Sequence, residues 1–285
     1  MFNYFIYRFA QFLALHLTTK SAYATAVFIA DVRFMFTYRD RRAVTDNLKA
    51  IFPEKPESEI RRMRREVFRN FAKYLVEFFR IPKLGMQDIG GNIKLENMHY
   101  FDQALAKGKG LVLLSAHLGN WELGGAVAGL LGYPIWAVAL THKDKKVNEI
   151  FNSQRQCKGV KVIALGKAAR QCLEALNKNE IVALVGDRDF SERGPAVNFF
   201  GKPTLLPEGP AAFSLKTGAS IVPVFMLKNH DGTFTLKVER PIEFKPSGDK
   251  NKDTLDLINR YKIVIEDYIR RYPEQWYMFR RFWIS

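Results

Sequence analysis

A chain of 285 residues with 47% hydrophobic content holds enough apolar material for a large core, which excludes a disordered polypeptide. The 44 Lys and Arg against 29 Asp and Glu leave a net charge of +15, which needs an anionic partner: nucleic acid, anionic lipid or an acidic protein. Two cysteines, Cys157 and Cys172, are too few for a disulfide framework and fit no metal-binding spacing, so both read as reduced structural residues.

Phe9 to Ala30 is mostly apolar, but Lys20 sits in its middle and His16 lies nearby. A central lysine costs ~2.5–3.5 kcal/mol on insertion scales, which argues against one clean span. Thr18-Thr19-Lys20-Ser21 reads as a break, with Ser21 as N-cap. The pattern predicts two membrane-seeking helices, 2–17 and 22–37. Ala22-Tyr23-Ala24 resembles a signal cleavage site, but the preceding segment is aromatic and nearly uncharged, which argues against a signal peptide. A basic helix begins at Asp40 to Arg42 and stops at Phe52-Pro53. Pro56-Glu57-Ser58-Glu59 opens the next, in which Ile60, Met63, Val67, Phe71, Tyr74 and Phe78 recur at helical spacing. Arg61, Arg62, Arg64, Arg65 and Arg69 crowd its first half, as a solvated face or as a surface for anionic membrane.

From residue 110 the pattern alternates. Strands are expected near 111–116, 134–140, 160–164 and 181–185, with helices near 119–131, 145–157 and 167–178. A Gly- and Pro-bearing loop, 187–208, precedes a helix near 209–217. A strand at Ile221–Phe225, a hairpin through Asp231-Gly232 and a helix near 252–271 follow. Strand–helix alternation predicts an α/β fold, a mainly parallel sheet flanked by helices. The first 100 residues read as helical. No Gly/Ser linker divides the chain, so 1–37 (membrane-associating helices), 38–109 (basic helical segment) and 110–285 (α/β catalytic core) are expected to form one domain.

Ser115-Ala116-His117-Leu118-Gly119-Asn120-Trp121-Glu122 follows the first of these strands. Parallel sheets place working residues at strand carboxyl ends. With His117 on the turn and Glu122 on the first turn of a helix, the two side chains are expected to meet. A carboxylate on one imidazole nitrogen fixes the tautomer, and the other nitrogen is left to accept a proton from a substrate hydroxyl. Such a pair lacks an enzyme nucleophile, so it suits direct acyl transfer to an alcohol. The plain alternative is a histidine that caps or packs.

His117 to Glu122 resembles the H-x4-D/E box of the glycerolipid acyltransferase superfamily, in the glutamate form of the bacterial lipid A late acyltransferases. Asn47-Leu48 with Phe52-Pro53, Gly186 to Phe190 with Phe199-Phe200-Gly201, and Tyr272 to Trp276 with Arg280-Arg281-Phe282 are similar to that family's other segments, in order along nearly the whole chain. The resemblance implies His117 as general base and Glu122 as its orienting carboxylate. It implies an acyl-carrier-protein thioester as donor, with acyl-CoA as the alternative donor, a lipid A precursor as acceptor, and the cytoplasmic face of the cell inner membrane. No cofactor, metal or nucleic acid is implied.

The chain departs from the family where many members carry Y-R-P: Val138 to Lys143 lacks an arginine, and His142 or Lys143 is expected to substitute. Asp187-Arg188-Asp189 reads either as substrate-binding, with Arg188 meeting phosphate or the thioester carbonyl while the aspartates hold the loop, or as an Asp–Arg clamp that supports His117. A D-x-D metal site is disfavoured by the interposed arginine. Asn120 and Trp121 are candidates for substrate contact or packing. Pro207-Glu208-Gly209 reads as a helix start. Trp276 and Trp283 with Arg280 and Arg281 read as an interfacial patch or a packed terminus. Two further readings stand beside this one: the same chemistry on a lysophospholipid or other lipid, and a non-catalytic basic protein that binds membrane surfaces or nucleic acid.

Overall fold

The computed structural model describes residues 2–190 and 192–284. Four helices come first: α1 (Phe2–His16), α2 (Thr19–Phe36), α3 (Tyr38–Ile51) and α4 (Glu57–Arg80). The break between α1 and α2 falls where the polar run predicts it. Its cap is Thr18, not Ser21: the Thr18 hydroxyl accepts from the Ser21 N–H. No helix among the described residues is long and apolar enough to cross a membrane.

Strand β1 (Ile93–Glu96) and helix α5 (His99–Leu105) follow, then β2 (Leu111–Ser115), α6 (Trp121–Leu130), β3 (Ile135–Ala139), α7 (Lys145–Gln156), β4 (Lys161–Ala164), α8 (Ala168–Asn177) and β5 (Ile181–Val185). A short hairpin, β6 (Ala196–Phe199) and β7 (Lys202–Leu205), precedes α9 (Gly209–Thr217), β8 (Ser220–Lys228), β9 (Phe234–Val238) and α10 (Lys250–Arg271). The seven-stranded sheet has the order β1-β9-β8-β2-β5-β3-β4, and only β8–β9 pair antiparallel.

Two elements depart from expectation. The first 100 residues are not wholly helical, because β1 adds to the sheet edge beside β9. Four residues are too few to show a strand period on their own. The 187–208 loop contains the β6–β7 hairpin, whose turn residues Phe200 and Gly201 both take positive φ, at 49° and 79°. That is the backbone a tight hairpin needs, and the second position favours glycine.

Strand β2 is buried on both faces. Val112 and Leu114 pack with residues of α8, α9 and α10, whereas Leu111 and Leu113 pack with α5 and α6. Alternate side chains of one strand therefore serve two cores, which makes a three-layer sandwich. Beyond α6 and α7 lies a further cluster in which Ala14 and Ala22 meet Val76, Phe79, Ala126 and Ile150. The N-terminal helices cover this side of the sandwich, with α4 against both α1 and α2. The arginine run of α4 is partly internal. Arg65 and Arg69 both bond the Asp31 carboxylate of α2, and Arg64 donates to the Thr45 hydroxyl of α3. The bonds from Arg69 and then Arg65 hold Asp31 well below the ordinary carboxylate range.

Candidate active site

Strands β2 and β5 are parallel neighbours in register, with Ser115 opposite Val185. His117 and Asp187 each stand two residues beyond those positions, so the register alone brings them side by side. His117 Nδ1 and Asp187 Oδ1 are 2.7 Å apart, and the His117 backbone N–H donates to Oδ2 at 3.0 Å. An ionised carboxylate only accepts, so Nδ1 carries the proton and Nε2 is left as an acceptor. Asp187 is fully buried. Burial alone would raise its pKa, but the His117 charge, the His117 ring bond and the Trp276 indole at 2.9 Å together hold it below the ordinary carboxylate range.

Trp276 comes from the C-terminal tail, which is part of the site. Its neighbours thread the turn: Gly119 N–H donates to Gln275 O, and Tyr277 N–H donates to His117 O. The tail is itself pinned by Asn47, whose amide donates to the carbonyls of Met278 and Arg280 and accepts from Phe282 N–H. Trp276 is buried, so it belongs to the packed terminus of the two readings. Gly119 has φ +64°, and a Cβ there would lie 2.0 Å from Met226 O, so this turn admits only glycine.

Glu122 does not meet His117. Helix α6 starts at Trp121, and successive helical residues diverge by about 100°. Trp121 therefore takes the position beside His117, ring centroids 5.0 Å apart, and its other side stacks on Tyr74 at 4.7 Å. Glu122 turns instead to α7, where Arg155 clamps both its oxygens at 2.6 and 2.8 Å. Each side chain of that pair is 11% exposed. Burial works against the Arg155 charge, yet Glu122 holds it above the ordinary guanidinium range.

Asn120 fits the packing alternative. It is buried, its Oδ1 caps α6 by accepting from Leu123 N–H, and its Nδ2 donates to Glu77. Glu77 is shared with Tyr23 and Lys228, so one carboxylate ties α2, α4 and β8 to the turn. Asp189 is buried and accepts from the N–H groups of Arg193 and Gly194. The two aspartates of the D-x-D run thus serve separate networks. Lys143 is exposed. His142 lies against Phe151, ring centroids 4.4 Å apart, and burial and then Arg155 push its imidazole below the ordinary range. Arg155, Glu77 and Lys228 carried no motif in the sequence. Arg155 follows the segment that lacks the family arginine by one helix, and brings a guanidinium to the site from there. Pro207-Glu208-Gly209 does open α9.

His117 opens onto a cavity of about 1010 Å³. Its walls come from α1, α2 and α4 on one side and from α6 and the sheet on the other, with Leu13, Ala26, Leu75, Gly125 and Met226 among them. An apolar chamber beside an accepting imidazole suits a lipid chain whose reactive end stops at His117.

The whole chain, residues 1–285, matches the family described as bacterial lipid A biosynthesis acyltransferase. The chain belongs to that family. Among curated relatives, the phosphatidylinositol mannoside acyltransferase of Mycolicibacterium smegmatis is 28% identical over 268 residues, covering 93% of this chain and 86% of the relative. A lipid A biosynthesis palmitoleoyltransferase of Escherichia coli is 26% identical over 251 residues, covering 87% and 80%. The lipid A biosynthesis acyltransferase of Haemophilus influenzae is 22% identical over 239 residues, covering 84% and 74%. The protein is an acyltransferase. The likeness read from the box at His117 and from the tail is therefore the correct one.

Proposed function

We propose that the protein moves a fatty acyl chain from a thioester to a sugar hydroxyl of a glycolipid at a membrane surface. The observation that carries this is the His117–Asp187 pair at 2.7 Å on the wall of the apolar cavity. His117 Nε2 takes the proton of the acceptor hydroxyl as its oxygen attacks the thioester carbonyl. The tetrahedral intermediate then collapses, the C–S bond breaks, and the imidazolium returns the proton to the leaving thiolate. Asp187 positions the ring and stabilises the imidazolium. Glu122 and Arg155 fix α6 against α7, and so hold Trp121 beside the base.

The acceptor is read as a glycolipid because the relatives act on lipid A precursors or phosphatidylinositol mannosides by name. An acyl-carrier-protein thioester is the favoured donor, since such carriers are acidic and this chain carries +15. The protein is read as lying on the cytoplasmic face of the inner membrane through α1 and α2. Phe5, Phe9 and Phe12 of α1 and Phe28, Met35 and Phe36 of α2 are all more than half exposed, an apolar face that water alone does not favour.

Purified protein offered both thioesters and a lipid A precursor, with products read by mass spectrometry, tests the reading. Wild type should give an acylated glycolipid, and His117→Ala should lose about 10²–10⁴ in rate. Equal turnover by His117→Ala would exclude the mechanism. Transfer to a lysophospholipid but to no glycolipid would replace the acceptor.

A further inference from the structure

Four arginines line the cavity: Arg33, Arg155, Arg188 and Arg280. Arg155 is clamped by Glu122, and Arg33 faces Asp40 at 3.9 Å. Arg188 and Arg280 have no carboxylate partner among the described residues. Arg188 follows Asp187 in sequence, but that carboxylate is occupied by His117 and Trp276. The Arg188 guanidinium lies over the Phe190 ring at 4.2 Å, and Phe190 in turn stands 6.4 Å from the His117 ring. Its Nε is buried with no hydrogen-bond partner. Burial and then the charge of Arg280 both push Arg188 below the ordinary guanidinium range, and both arginines line the same cavity.

Two half-buried like charges on one wall destabilise the empty site, and a buried unpaired N–H group requires a partner. Arg188 is held by the Phe190 stack, and the Arg280 backbone carbonyl is pinned by Asn47 at 2.9 Å. A tetrahedral dianion or diester between two planar guanidinium groups satisfies both charges and the orphaned donor together.

We infer that Arg188 and Arg280 form a phosphate-binding site beside His117, which seats one substrate by its phosphate while the base meets the reacting hydroxyl. The inference rests on the acyl-transfer reading for its purpose, though not for its chemistry. The phosphate belongs either to the acceptor headgroup or to the phosphopantetheine arm of the donor.

The test is equilibrium binding to the full chain in detergent, with two matched pairs of probes. One pair is a monoacyl glucosamine glycolipid with and without a sugar phosphate. The other is S-acyl 4′-phosphopantetheine against S-acyl pantetheine. Wild type should bind the phosphorylated member of one pair about 10–100-fold more tightly, as charge-assisted bonds to two arginines require. The pair that shows the preference identifies the source. Arg280→Gln and Arg188→Gln should each abolish most of the preference and leave binding of the unphosphorylated probe unchanged. Arg280→Lys should restore part of it. Neither Gln variant should melt below wild type, since each removes one of two repelling charges. Equal binding within both pairs, or a preference that survives both Gln substitutions, overturns the site. Binding does not depend on turnover. A phosphate preference without acyl transfer would therefore remove the functional reading and leave the site standing.

Discussion

Replacing Asp187 with Asn changes one atom and separates charge and tautomer from packing. Asp187 accepts three hydrogen bonds: from His117 Nδ1 on one oxygen, and from His117 N–H and Trp276 Nε1 on the other. An asparagine keeps its carbonyl oxygen on the last two donors and turns its NH₂ towards the ring. Nδ1 must then accept, the ring proton moves to Nε2, and the nitrogen that should take the substrate proton is blocked. We expect a loss of about 10²–10⁴ in kcat, the range for a positioned general base, with a melting temperature near wild type. Asp187→Ala differs: it orphans all three donors, the buried Trp276 indole among them at about 1–3 kcal/mol, so it should also lower stability. The acid limb gives a second readout. Asp187 is held below its ordinary value of about 3.9 in the folded state, so its stabilisation is fully present above that pH. It is lost as pH falls through the folded value, and Asp187→Asn should flatten unfolding in that window. The assay is acyl transfer followed by mass spectrometry, with melting curves at pH 3 to 7. An Asn variant with wild-type turnover refutes the reasoning. So does a larger loss in Glu122→Gln than in Asp187→Asn, which would mean that Glu122 leaves Arg155 and reaches the base during catalysis.

Arg155→Ala leaves Glu122 almost buried and unpaired, and should cost about 3–5 kcal/mol in chemical denaturation, whereas Glu122→Gln keeps one bond and should cost less. A Cβ at Gly125 meets no atom within 4 Å and this residue lines the cavity, so Gly125→Leu should shift product spectra towards shorter chains. Each methylene that no longer fits forfeits about 0.8 kcal/mol, roughly fourfold in binding; an unchanged chain profile would place the acyl group elsewhere. Replacing Phe9, Phe12, Phe28 and Phe36 with Ser should release the protein from vesicles, at about 1.5–3 kcal/mol for each side chain that had been buried in lipid. Arg61→Gln with Arg62→Gln is the cleaner probe of the basic helix, because Arg65 is taken up by Asp31; unchanged affinity for anionic vesicles would turn that face away from the membrane. Acyl-carrier-protein thioester should outperform acyl-CoA at low salt, and the advantage should shrink by about 0.15 M, where screening acts within about 8 Å; equal rates at low salt would exclude steering by charge.

Local pattern alone placed the long helices and the central strands, though not β1 or the β6–β7 hairpin, because burial and helical or alternating spacing are written into neighbouring residues. It also located the candidate turn: His117 at the end of β2, Gly119 easing a sharp turn, and a helix start near Trp121. The carboxylate that meets His117 was a different matter. Glu122 is five residues from His117, Asp187 is seventy, and sequence proximity favoured the wrong one. The choice depends on β5 lying between β2 and β3 in the sheet, in register with β2, so that equal offsets past two strand ends meet in space. Strand order is a property of how the helical layers pack, and no window of sequence contains it. The same holds for Trp276, which pattern assigned to a surface or a packed end and which folding brings to Asp187. It holds too for the arginines. The charge total required an anionic partner, but only the tertiary structure decided that Arg65, Arg69 and Arg155 are paired with carboxylates while Arg188 and Arg280 are left facing the cavity, since pairing depends on which carboxylates the fold brings within reach.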